Sequence, residues 1–74
     1  MFALNRFTLI CDMSQFINEL NKLTYKYNIS YQISKNDDNY SITINTTNTY
    51  RDEYLIKDIY FIILPLTRNI DYVA

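Results

Sequence analysis

TYRDEYLIKDIYFIILP, residues 49–65, is the stretch on which the fold of this chain turns. Its apolar, β-branched run at 59–64 could be a buried strand. Other signals favour a helix. Leu55, Ile56, Ile59, Ile62 and Ile63 fall on one stripe, and Thr49 stands where an N-cap belongs. Asp52 and Glu53 place negative charge in the first turn, and Pro65 supplies a stop. Opposite the core stripe lie Tyr50, Tyr54, Lys57, Phe61 and Leu64, spaced four, three, four and three apart. A helix apolar on two opposite faces is usually buried on both. One face can meet a sheet, so the other is expected to be a partner-binding surface. Tyr, Phe and an adjacent cation are residue types that dominate interface hot spots. The competing expectation is that the first helix covers this stripe laterally, or that the chain's tail folds over it.

Working outward, Tyr40, Ile42 and Ile44 alternate with Ser41, Thr43 and Asn45, and Ile29, Tyr31 and Ile33 alternate with Ser30, Gln32 and Ser34. Period two marks half-buried strands, and Asn36-Asp37-Asp38-Asn39 between them is a dense turn signal, so the pair reads as a hairpin. Upstream, Met13, Phe16, Ile17, Leu20, Leu23, Thr24 and Tyr27 follow helical spacing. Asp12 reads as the N-cap of that helix, with Gln15 completing a capping-box-like pair. Asn28 stands where a left-handed C-cap residue is needed. Phe7, Leu9 and Cys11 alternate with Arg6, Thr8 and Ile10, which predicts a first strand over 3–11. The tail is expected to add a short strand at about 69–73.

The element order is therefore β-α-β-β-α, with a short final β. It resembles that of a ferredoxin-like sandwich: an α+β, two-layer domain with an antiparallel sheet and two helices on one face. Seventy-four residues leave room for one core, so residues 1–74 read as a single domain.

Composition narrows the function classes. The sequence contains no Gly and no His. Without Gly there is no phosphate-cradling loop, dinucleotide fingerprint or usual nucleophile elbow. Without His there is no imidazole base and no zinc site of common type. Cofactors are expected to be none. Seven Lys or Arg against eight Asp or Glu give a net charge of −1, neither the basic excess of a phosphate binder nor the acidity of a DNA mimic. Arg6, Thr8, Ser30, Gln32, Ser34, Ser41, Thr43 and Asn45 should form the open face of the sheet. RNA-binding domains of this topology carry aromatics there, on which bases stack, so nucleic acid is not the expected partner.

Cys11 is the one cysteine, which excludes an intramolecular disulfide and fits a reducing compartment. No apolar run reaches membrane-spanning or signal-peptide length. The chain is expected to be soluble and cytoplasmic, and the sequons at Asn28, Asn39 and Asn45 carry no message. The Asn/Asp tetrad lacks the ligand spread and the Gly of a calcium loop, so no metal is expected there.

Leu9-Ile10-Cys11-Asp12-Met13-Ser14 resembles the strand-one exit of small ferredoxin-like nucleases, in which an Asp at this junction binds metal. That resemblance implies a metal-dependent nuclease using Asp12, while an N-cap explains the same residue without metal. The leading expectation is a non-enzymatic protein-binding module. It would act by steric occlusion, in the manner of a phage or mobile-element inhibitor of a host defence protein (anti-CRISPR-like). Its partner would be a host protein or a second copy. An obligate homodimer with a structural role is the remaining alternative.

Overall fold

In the first strand, β1 (Phe2–Leu9), two apolar alternations run out of phase. Phe2 and Leu4 occupy even positions, whereas Phe7 and Leu9 occupy odd ones. A straight strand would put one pair into water. The computed structural model, which describes residues 2–46, 52–70 and 72–73, resolves the conflict with a β-bulge. Leu4 pairs with Ile42 and Phe7 with Tyr40, so Asn5 and Arg6 together oppose Ser41. Arg6 adopts a left-handed φ of 54° at this point. The extra residue returns Phe7 to the core face, where it is fully buried against the ring of Phe16. The expected strand at 3–11 is thus observed at Phe2–Leu9.

The first helix, α1 (Met13–Tyr27), buries Phe16, Leu20, Leu23 and Tyr27 from the stripe its spacing predicts, and leaves Met13, Ile17 and Thr24 of that stripe half-buried. Asp12 is extended at its N-terminus (φ −68°, ψ 147°), and its carbonyl accepts the Phe16 N–H at 3.1 Å. The expected side-chain cap is not formed: the exposed Asp12 carboxylate makes no capping hydrogen bond, and the backbone bond starts the helix instead. Asn28 is left-handed (φ 53°, ψ 49°), as its position requires. The chain turns there into β2 (Ile29–Asn36).

β2 and β3 (Asn39–Thr46) form an unbroken antiparallel hairpin, from Ile29↔Thr46 to Asn36↔Asn39. The turn is tighter than the Asn/Asp tetrad suggests. Only Asp37 and Asp38 lie outside the ladder, and Asp37 supplies the left-handed residue at φ 55°.

The stretch at 52–66 is helical throughout, but not uniformly α. α2 (Asp52–Asp58) passes into a π-helical turn at Ile59–Ile63 and then a 3₁₀ turn at Leu64–Leu66. The Leu64 N–H bonds to the Ile59 carbonyl five residues back. Pro65 lies at the start of the 3₁₀ turn, and the Thr67 hydroxyl closes it by donating to the Leu64 carbonyl at 2.8 Å. The expected Thr49 cap lies outside the described residues.

The tail forms two short pieces rather than one strand at 69–73: β4 (Thr67–Arg68) and β5 (Tyr72–Val73). Both run antiparallel to β1, at Thr8↔Arg68, Leu9↔Thr67, Asn5↔Tyr72 and Leu4↔Val73. The gap between them contains left-handed Asn69 and lies opposite the β1 bulge.

The sheet order is β2-β3-β1-β4, with β5 also on β1. Four antiparallel strands and two helices make an α+β two-layer arrangement compatible with the ferredoxin-like fold. The core between the layers joins Leu4, Phe7, Ile42 and Ile44 from the sheet with Phe16, Leu20, Ile59 and Ile63 from the helices.

Candidate functional site

The outward side of the second helix is placed by what its inward side buries. Leu55, Ile59 and Ile63, four residues apart, enter the core, and Ile62 packs partly against it. Ile56 was expected on the same stripe but is 39% exposed. It flanks Leu55 by one residue, and the four-residue spacing of the buried set turns it away.

Asp58 sets the rotation from the other flank. Its Oδ2 accepts a hydrogen bond from the Tyr27 hydroxyl at 2.5 Å and another from Lys26 Nζ at 2.9 Å. Both donors lie in the last turn of α1, so the pair of helices is clasped where α2 gives way to the π turn. Bonds from Tyr27 and then Lys26 hold the Asp58 carboxyl below its ordinary 3.8. Lys26 is raised above 10.5, chiefly by its hydrogen bond to Asp58. Tyr27 is raised above 10.0, first by burial and then by its bond to Asp58.

With that flank fixed against α1, Tyr54 and Phe61 remain 62% and 78% exposed. Lys57 lies between them in sequence, its Nζ 5.9 Å from the Tyr54 ring centroid and 3.9 Å from Glu53 Oε1. The exposed i,i+4 ion pair contributes little to stability. Its value is in holding a cation beside an aromatic ring. Among the described residues neither expected cover is present. α1 engages the Asp58 flank, and the described parts of the tail run along β1.

Two of the residues expected on this face are placed differently. Tyr50 lies outside the described residues. Leu64 is partly buried against the core. The π turn explains the second case. An i→i+5 turn holds more residues than an α turn, so residues beyond it fall behind the 3.6 phase. Leu64 is thereby rotated off the outer face. Tyr60, half-exposed with its ring edge-on to Phe2 at 6.2 Å, and Ile56 are exposed as well, but Ile56 lies two residues from Tyr54 and so on another side of the helix. Tyr60 follows Ile56 by four residues, a repeat that could have flagged them together.

No family model matches this chain, and no curated protein or solved structure matches it significantly.

The other surfaces raised by the sequence are placed as follows. On the open face of the sheet, Arg6, Ser30, Gln32, Ser34 and Asn45 are exposed, while Thr8, Ser41 and Thr43 are half-buried. These are hydroxyls, amides and one guanidinium, with no stacking platform among them. The bulge and the hairpin turn frame a polar cleft of about 520 Å³, lined by Asn5, Arg6, Asn36, Asp37, Asn39 and Tyr40. Asp12 stands at the start of α1. Among the described residues, no three His, Cys, Asp or Glu side chains converge as metal ligands would. Cys11 is a free, half-buried thiol. No described helix is long and apolar enough to cross a membrane.

Proposed function

We propose that this protein is a non-enzymatic protein-binding module that docks through the outer face of its second helix, with Tyr54, Lys57 and Phe61 at the centre of the contact. The observation that carries the reading is Phe61. A phenylalanine in a π turn, 78% exposed beside an exposed tyrosine and a lysine, is costly to leave in water and well suited to an interface. Single π turns recur at functional sites, because they displace side chains from the regular helical surface. Tyr60, edge-on to Phe2 of β1, adds a further exposed aromatic ring on the second helix.

The mode of action is steric. A partner surface covered by this face is closed to other ligands, and no bond is made or broken. Binding dominated by aromatic burial depends weakly on ionic strength.

The test is capture from cell lysate by immobilised wild type and by Tyr54→Ser/Phe61→Ser, with partners identified and affinities then measured on purified components. The expected result is a specific protein held by wild type and weakened more than about tenfold in the double variant, whose circular dichroism stays native. Equal capture by both chains would remove this face as the binding site.

A further inference from the structure

The two margins of the sheet are built differently. On the β4/β5 side the outermost segment is broken into two-residue pieces around left-handed Asn69, opposite a bulge. Interruptions of this kind protect a sheet from pairing with another chain. On the other side lies β2, eight residues long and bonded on its inner side to β3 in an unbroken register. It has no proline and no bulge, and its one charge, Lys35, is next to its end. Among the described residues, nothing pairs with its outer side.

The hairpin register tells which backbone groups point outward. Asn36 and Asn39 close a two-residue turn, which makes them a hydrogen-bonded pair. Hydrogen-bonded and non-bonded pairs alternate along an antiparallel ladder. Ser34, Gln32 and Ser30 therefore also turn their N–H and C=O groups toward β3. Lys35, Ile33, Tyr31 and Ile29 turn theirs to the free edge.

We propose that this edge is the contact surface for a second copy of the chain, paired antiparallel about a two-fold axis through Gln32. That register matches all four outward-facing residues with one another: Tyr31 opposite Ile33 of the second copy, and Ile29 opposite its Lys35. Each of these pairs can exchange two backbone hydrogen bonds. Shifting the axis by one residue along the outward set, to Tyr31 or Ile33, leaves part of the set opposite α1 or the turn.

Side chains and charge support the same arrangement. Tyr31 and Ile33 are only half-buried at the margin of the core, and each would cover the other's open flank across the axis. The two Lys35 side chains go to opposite ends, about 20 Å apart at 3.4 Å per residue. That distance exceeds the physiological screening length of about 8 Å. An in-register parallel pair would place them side by side. On the other face, Gln32 meets its own copy, and amide side chains can bond to each other. The edge thus satisfies an isologous contact, in which one surface is its own complement.

The experiment is a cysteine scan on a Cys11→Ser background, combined with sedimentation over a wide concentration range. The two-fold axis passes through a non-hydrogen-bonded pair, whose close Cα approach suits a disulfide. Gln32→Cys should therefore oxidise to a covalent dimer. Ser30→Cys and Ser34→Cys should each form no covalent dimer alone and should cross-link to one another when mixed. The chain should sediment as a dimer at high concentration. Ile33→Pro, which removes an outward N–H and no bond to β3, should shift it to monomer with native circular dichroism. Tyr54→Ser/Phe61→Ser should leave the dimer intact. A chain monomeric at every concentration, with no preference for cross-linking at position 32, would overturn the proposal. So would a dimer that is lost in Tyr54→Ser/Phe61→Ser, since association would then belong to the helix face.

Discussion

Residue 6 shows what a glycine-free chain must do where its backbone turns left-handed. Among the described residues the positive-φ positions are Arg6, Asn28, Asp37 and Asn69. Asn and Asp tolerate this region because their short polar side chains bond locally, whereas other residues lose roughly 1–2 kcal/mol there. Arg6 is the exception, and it lines the polar cleft at the bulge. Asp58 is the other decisive residue. Asp58→Asn should cost about 1–2 kcal/mol at neutral pH, because two charge-assisted bonds weaken at a partly exposed site. The folded carboxyl titrates below 3.8, so its stabilisation is complete above 3.8 and is lost as pH falls through the depressed value. The gap between wild type and Asp58→Asn should then narrow with acidification in urea titrations. At the alkaline end, raised Lys26 and Tyr27 contribute stability below about 10 that fades as pH rises through their folded values.

At the scale of elements, α1 was legible apart from its side-chain N-cap, because one period accounts for it: Phe16, Leu20, Leu23 and Tyr27 are spaced as a 3.6-residue helix requires, and Asn28 ends it. The hairpin was legible for the same reason at period two. The second helix was legible in kind but not in phase. Its α, π and 3₁₀ segments change residues per turn twice within residues 52–66, so a uniform helical projection misplaces Leu64, while Ile56 is turned out by the four-residue spacing of Leu55, Ile59 and Ile63. Of the described residues on the projected outer face, Tyr54, Lys57 and Phe61 keep their exposure, Phe61 within the π turn itself. A pair of substitutions separates the two faces. Ile59→Ala should cost about 2–4 kcal/mol by opening a cavity beneath the π turn, whereas Phe61→Ser should change stability by less than about 0.5 kcal/mol. Denaturant unfolding of the two variants checks both expectations, and a large loss in Phe61→Ser would show the ring to be structural.

For the whole molecule, the margin is thin: a domain near this size buries only about 60% of the surface its unfolded chain exposes. The tail contributes by pairing with β1, which lies one strand in from that margin. Ending the chain after Leu66 should leave β1 as a second open edge. Lower stability and concentration-dependent scattering are expected, and a truncated chain as stable and monodisperse as the parent would show the tail pairing to be dispensable. The sequence by itself determined which segments coil and which extend, because apolar period is a local property. It even held the bulge, in the slip of the apolar phase between Leu4 and Phe7. Only the tertiary structure decided which helix residues stay in water. That depends on the clasp from Lys26 and Tyr27 to Asp58, across some thirty residues of chain, and on a π turn that fits Ile59 and Ile63 together into the core. Contacts between distant residues follow from how layers pack against each other, and no local period encodes that angle.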